Sequence, residues 1–220
     1  MNLVRCRAGD DATTASTLVV LLPGAYHGAT DFLRHGFAAA VLRRGLALDL
    51  APLDLRLEHH AGGQAIAMVL DAISEARRDG GYRAIWLAGV SLGALTALAV
   101  AALHPAAVQG LCLIAPYPGS RPLRNEIECA GGIAAWEPGA PDPRDAERAA
   151  WWWLKGQGRG AIPAWLLYGE HDRFAAGQRA MAAALPDDSV VATPGAHDWP
   201  TWVAHWEFFL DRAGIAAAAP

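Results

Sequence analysis

Long uninterrupted apolar runs are missing from this 220-residue chain. None approaches the roughly 20 residues that a helix needs to cross a bilayer, which excludes a helical membrane span. Cysteine is scarce, and its 3 copies, Cys6, Cys112 and Cys129, lie far apart. They make neither a metal-ligand nor a redox spacing, and their odd number excludes a closed disulfide framework, so reduced thiols are expected. An excess of positive charge is also absent. With 18 Lys and Arg against 22 Asp and Glu, the net charge is −4, and the basic footprint of a nucleic-acid partner is missing. The start, Met1 to Arg7, has no apolar core of the signal-peptide kind; the cytoplasm is the expected location. What is abundant is core material. Hydrophobic residues make up 53% and charged residues 18%, whereas disorder requires low hydrophobicity and high net charge. Chains of this length with mixed strands and helices commonly form one unit, so a single domain over 1–220 is expected.

Short apolar runs alternate with amphipathic stretches. Thr17–Leu22 reads as a buried strand closed by Pro23-Gly24, because four to eight apolar residues before a turn signal suit a strand covered on both faces. Further strands are predicted at Leu46–Leu53, Arg83–Val90, Val108–Ala115, Ala164–Tyr168 and Ser189–Thr193, with Leu3–Ala8 as an added edge strand. Between them, apolar spacings of three and four predict helices at Ala29–Arg44, Gln64–Arg78, Leu92–Leu103, Phe174–Leu185 and Trp199–Ala213. On this reading His35 falls inside a helix. Such alternation means an α/β fold of three layers, α/β/α, with a mostly parallel central sheet. One stretch breaks the rhythm: Pro116–Gly160 is rich in Pro and Gly and contains Trp151-Trp152-Trp153. A loop of that length carries small elements or a function, and a cap-like insertion over one end of the sheet is expected there. The Ala216–Pro220 end is low in complexity and expected to fray.

Chemistry concentrates where predicted strands end. Gly89-Val90-Ser91-Leu92-Gly93 sits between a strand and a helix. A serine hydroxyl becomes a useful nucleophile when a sharp turn holds it beside a base. The glycines leave room for the turn, and the helix start directs free amides at the serine, with the Leu92 amide placed to donate to a developing oxyanion. The chain has 5 serines and 23 glycines, so such a motif arises by chance only about 0.05 times in a chain of this kind. An acid is then needed past a later strand, and Gly169-Glu170-His171-Asp172 supplies Asp172, with Glu170 in reserve. A base is needed after the last strand, and Gly195-Ala196-His197 supplies His197. Asp198 is expected to cap the last helix. The second oxyanion amide is expected from the loop after the first buried strand, at Ala25 or Tyr26. His27 can line the pocket or serve structure. Trp199, Trp202 and Trp206 recur at helical spacing and read as core. Trp151, Trp152 and Trp153 are expected either to give an apolar wall to an acyl or aryl group or to serve plain packing or a dimer contact, because three consecutive rings cannot all face one way. Arg121, Arg124 and Arg173 lie near loops that can reach the mouth and favour an anionic substrate, although solvated surface charge is the expected role of such residues.

These motifs together resemble the α/β-hydrolase superfamily, in particular its small single-domain serine esterases and thioesterases, over about Thr17 to Ala213. The resemblance implies Ser91 as nucleophile, His197 as general base and then acid, and Asp172 fixing the imidazole. It implies no metal and no organic cofactor, and a small-molecule ester or thioester as the partner, in a monomer or homodimer. A carboxylic ester hydrolase is the leading expectation. A thioesterase or acyltransferase with the same triad, or a ligand-binding protein that keeps the fold without catalysis, are the alternatives. The loop Pro23-Gly24-Ala25-Tyr26 departs from the His-Gly-Gly-Gly run of many relatives.

Overall fold

The computed structural model of the protein describes residues 4–6, 15–156 and 162–215. Seven strands form one sheet: β1 (Val4–Cys6), β2 (Thr17–Leu22), β3 (Leu48–Pro52), β4 (Ala84–Val90), β5 (Gly110–Ile114), β6 (Ala164–Gly169) and β7 (Val190–Thr193), in the spatial order β1-β3-β2-β4-β5-β6-β7. β1 is antiparallel to β3, and every other pairing is parallel. The expected edge strand is therefore present over Val4–Cys6, while Leu3 and Arg7–Ala8 lie outside the described residues, as does the Ala216–Pro220 end. The central strands are apolar throughout because both faces are covered. Within β2, Leu18, Val20 and Leu22 point into one core, and Val19 and Leu21 into the other, the two-residue alternation of a pleated strand.

One face carries α3 (Gln64–Gly80), α4 (Leu92–Leu103), α5 (Arg121–Cys129), α6 (Ala146–Gly156) and α7 (Ala175–Ala182), and the other carries α1 (Ala29–Arg34), α2 (Phe37–Arg43) and α8 (Trp199–Arg212). The three-layer α/β/α arrangement is thus as the alternation implied. α4 is buried continuously from Gly93 to Ala102, as befits a helix that is apolar all round and sandwiched between sheet and neighbours.

One expectation changes. The stretch 29–44 is not one helix. Gly36 adopts φ 84, in the left-handed region, and His35 caps α1 instead of lying within a helix. On a continuous helix Phe32 and Phe37 would stand about 140° apart, so one would leave the core. The break brings both rings inward, edge to face at 5.0 Å. The described part of the inserted stretch, residues 116–156, contributes α5 and α6 to the helical layer, and α6 lies against α4. Trp151 and Trp153 are buried, and the Trp151 indole donates to the Pro118 carbonyl at 2.9 Å. Two rings roughly 200° apart on one helix can both be buried because α6 is enclosed on more than one side. Trp152 is half-buried and packs on the same core.

Candidate active site

Ser91 joins β4 to α4 with φ 54 and ψ −115. A non-glycine residue there is strained by roughly 1–3 kcal/mol and persists only where neighbours over-determine it. They do so here. The Ser91 amide donates to the Ile114 carbonyl at 2.9 Å, and the Ser91 carbonyl accepts from Tyr117 at 3.0 Å and from Ala94 at 3.1 Å. The flanking glycines are required by close approach. A Cβ on Gly89 would lie 2.4 Å from the Ala94 nitrogen, and one on Gly93 would lie 2.1 Å from the Leu22 carbonyl oxygen. The motif is therefore a three-way junction of β4, α4 and the end of β2.

Asp172 and His197 reach the same rim from the ends of β6 and β7, the carboxyl edge where open α/β sheets place their sites. The His197 Nε2 is 2.9 Å from the Ser91 Oγ, and its Nδ1 is 2.6 Å from the Asp172 Oδ2. The Asp172 side chain is fully enclosed. Burial pushes its carboxyl upward, but hydrogen bonds from His197, the Phe174 amide and Gln178 outweigh that and leave it below the usual carboxylate value. An ionised carboxylate only accepts, so His197 Nδ1 carries the hydrogen and Nε2 is left to accept from the Ser91 hydroxyl. The imidazole is clamped between two rings, Phe174 at 5.2 Å and Trp202 at 5.1 Å, both edge to face. Asp172 also anchors the turn into α7, because its Oδ1 accepts the Phe174 amide at 2.8 Å.

Gln178 escaped the sequence reading. It is wholly buried in α7, and its side-chain amide donates to the Asp172 Oδ2 at 3.1 Å and to the Pro116 carbonyl at 3.2 Å. A lone glutamine on the apolar side of an Ala-rich helix was the only available signal.

Above Ser91 lies a hollow of about 440 Å³, within the range of small-molecule sites. Ala25, Tyr26 and Leu92 line it together with Ser91. Among the described residues the amides of these three donate to no acceptor. The Gly24 backbone lies so close that an added Cβ would sit 3.3 Å from the Ser91 Cβ. The loop after β2 and the first turn of α4 thus bring residues with unpaired amides to the hollow that holds the hydroxyl, the kind of group suited to negative charge. Of the three arginines, Arg173 lines this hollow, whereas Arg124 lines a different one, together with Trp151, and Arg121 lines neither. Trp151, Trp152 and Trp153 do not line the Ser91 hollow; their place as an acyl wall is corrected to core packing. His27 does not line it either. Its ring meets Trp199 and Trp202 edge-on, and burial first of all lowers its pKa. Glu170 is exposed, and its amide donates to the Thr193 carbonyl. Asp198 caps α8 as expected, accepting from the Thr201 amide at 3.1 Å. Trp202 and Trp206 are buried as read, while Trp199 is half-buried and stacks on His35. His60, Tyr117, Glu147 and Phe174 also line the hollow, none of them foreseen, because they come from four separate segments of the chain.

Behind the triad, His205 of α8 is buried and pairs with the Thr193 hydroxyl at 2.9 Å. Burial pushes its imidazole down to about 4 from an ordinary 6.5. The unfolded chain therefore takes up this proton first. The associated stability is complete above about pH 6.5 and is lost as pH falls toward 4, roughly 3 kcal/mol in all. Asp172, whose pKa is depressed, acts in a lower window, its contribution present above about pH 4 and lost below it. Denaturant unfolding measured from pH 7 to 4.5 is expected to show a fall that is smaller by about 2 kcal/mol in His205→Phe.

The sequence matches no protein-family model and no curated protein. Solved structures do match. A fluorophosphonate-binding serine hydrolase of Staphylococcus aureus, FphF, is 12% identical with a TM-score of 0.66, over 92% of this chain and 86% of that one. Est1E of Butyrivibrio proteoclasticus is 16% identical with a TM-score of 0.63, over 93% of this chain and 91% of that one. The S-formylglutathione hydrolase FrmB of Staphylococcus aureus is 14% identical with a TM-score of 0.61, over 92% and 83%. The fold is that of the α/β hydrolases.

Proposed function

We propose that the protein is a serine hydrolase that cleaves a carboxylic ester of small or medium size through an acyl-enzyme on Ser91. The observation that carries this reading is the unbroken hydrogen-bonded series Asp172–His197–Ser91 at the edge of a hollow. In the first half-reaction His197 Nε2 takes the Ser91 proton as Oγ attacks the carbonyl carbon. The carbonyl oxygen becomes an oxyanion held by the Leu92 amide and by Ala25 or Tyr26. As the tetrahedral species collapses, the bond to the leaving alcohol breaks and the imidazolium returns its proton to that oxygen. Water then attacks the acyl-enzyme with the same base, releasing a carboxylic acid and restoring the Ser91 hydroxyl. Asp172 stays ionised throughout, stabilising the imidazolium.

FphF is described as fluorophosphonate-binding, and Est1E is known with ferulic acid bound; both descriptions agree with an acyl-transfer site on this fold. A fluorophosphonate probe is expected to label native protein once per chain, on the peptide that carries Ser91. Native protein that takes no label belongs instead to the ligand-binding class without catalysis. A panel of p-nitrophenyl esters and acyl thioesters of graded chain length then separates an esterase from a thioesterase, since both substrates pass through the same acyl-enzyme.

A further inference from the structure

Gln178 is an unexpected occupant of its place. The other enclosed residues of α7 are Ala175, Gly177, Met181 and Ala182, and an apolar side chain would fill the position without the cost of burying an amide. The side chain is used as a double donor. One amide hydrogen goes to the Asp172 Oδ2 at 3.1 Å and the other to the Pro116 carbonyl at 3.2 Å. Both partners only accept, since a carbonyl has no hydrogen and the Asp172 carboxyl is held ionised. The orientation of the amide is therefore fixed, because turning it over would set Oε1 against two acceptors. Oε1 itself is enclosed and has no partner among the described residues. An enclosed polar atom left unpaired is unfavourable, so α7 carries Gln178 at a cost in return for its two hydrogens.

These two bonds join the acid to the support of the nucleophile. The Asp172 Oδ1 is held locally, by the Phe174 amide at 2.8 Å. Oδ2 takes the His197 Nδ1 at 2.6 Å, and Gln178 is the second donor on that same oxygen. The Pro116 carbonyl belongs to the bend after β5. There Ala115 adopts φ 47 and its amide donates to the Leu167 carbonyl at 2.7 Å, while the Tyr117 amide donates to the Ser91 carbonyl at 3.0 Å. Pro116-Tyr117 thus braces Ser91 directly and Asp172 through Gln178. α7 comes close enough because residue 177 has no side chain: a Cβ on Gly177 would lie 2.6 Å from the Pro118 ring. Gln178 does not line the Ser91 hollow, so it meets the reaction only through Asp172.

We propose that Gln178 is a positioning residue of the triad: it ties the Asp172 carboxylate to the bend that braces Ser91 and, by sharing Oδ2 with His197, limits the negative charge that the imidazolium meets. This deepens the serine-hydrolase reading and rests on it. Without Gln178, Oδ2 serves His197 alone, the imidazolium is held more firmly, and His197 gives up its proton only at higher pH. The other titratable or charged neighbours of the pair are His27 from the loop after β2, His205 from α8, Arg173 and Tyr117 around the Phe174 ring, and the chain neighbours His171 and Asp198. Burial lowers His27 and His205 and raises Tyr117, and the variants used here leave all six in place. The test follows kcat/KM for p-nitrophenyl butyrate against pH in Gln178→Met, which keeps the length of the side chain but has no hydrogen to donate. The fall of kcat/KM on the acid side reports the essential base of the free enzyme, and its position does not depend on how much of a sample is folded. It is expected to move up by about half a pH unit or more. At the optimum, kcat drops about tenfold or more and KM stays where it was. Should Gln178→Met not accumulate, Gln178→Asn, whose amide is one methylene too short for both acceptors, is measured in its place with the same expectation. A merely structural Gln178 would lower the melting temperature and the active fraction but leave the acid-side fall unmoved. A fall that stays in place or moves down therefore overturns the proposal whatever happens to kcat, and so does a loss carried by KM. In either case the unaltered protein still takes the fluorophosphonate label at Ser91 and hydrolyses the ester, whereas failure of the serine-hydrolase reading leaves it unlabelled and inactive.

Discussion

Ser91→Ala lowers kcat/KM for an activated ester by about 10⁴-fold or more, the loss expected when the nucleophile of a coupled triad is removed. The size follows from what else in the site survives. The amides of Ala25, Tyr26 and Leu92 still line the hollow, so whatever rate remains above that of water reports their share. The fold is expected to be kept. Alanine at φ 54 is no more strained than serine, and the backbone bonds that hold residue 91, from its amide to Ile114 and from Tyr117 and Ala94 to its carbonyl, need no side chain. A melting temperature near that of the unaltered protein, together with loss of fluorophosphonate labelling, separates chemistry from folding. His197→Ala added to Ser91→Ala is expected to cost little more, because the two side chains act as one unit. Full hydrolysis of p-nitrophenyl butyrate by the Ser91→Ala protein would falsify the acyl-enzyme mechanism.

Gly93→Ala is the second large effect, and it acts through the backbone. The added Cβ lands 2.1 Å from the Leu22 oxygen, 2.5 Å from the Leu22 carbon and 2.7 Å from the Pro23 oxygen. All three are main-chain atoms, so no side-chain rotation relieves the clash. The end of β2 and the start of α4 have to separate. Overpacking of this kind destabilises by about 3 kcal/mol or more, which lowers the melting temperature of a chain this long by roughly 6–12 °C. The same separation moves the loop of Ala25 and Tyr26 away from the Leu92 amide, so kcat falls in the fraction that remains folded. Gly36→Ala is the useful contrast. Nothing lies within 4 Å of an added Cβ there, and only the φ of 84 opposes it, a cost of about 1–2 kcal/mol with no expected change in kcat. A Gly93→Ala protein that melts and turns over like the unaltered one would refute the close packing of elbow and loop.

The residues that could be found without coordinates share a property. Ser91, Asp172 and His197 each sit where an apolar run ends, so their place at the carboxyl edge of the sheet follows from local pattern alone. The Asp198 cap was legible in the same way, since a cap is a contact between near neighbours in the chain. Gly36 was the opposite case. Its break of a regular apolar period answers the need of Phe32 and Phe37 to face one core, and that need appears only once the sheet is in place.

The tryptophans show the same boundary. Three consecutive rings suggested a wall for substrate because a single helix cannot turn them one way, and that premise was correct. What it could not contain is that α6 is covered on more than one side, so rings pointing in different directions are nonetheless buried. Gln178, His60, Tyr117 and Glu147 belong to this class too. Each has a contact far away in the chain, Gln178 with the Pro116 carbonyl and His60 with Thr96.

By itself, then, the order of apolar runs and turn residues determined the three-layer sheet, the elbow at Ser91 and the rim at which acid and base arrive. The lining of the hollow, the direction each helix presents and the partners of each buried histidine were decided only by the tertiary structure. Strand period and turn chemistry act over a few residues, whereas an enclosed hydrogen bond or a packed ring depends on which distant segments happen to meet.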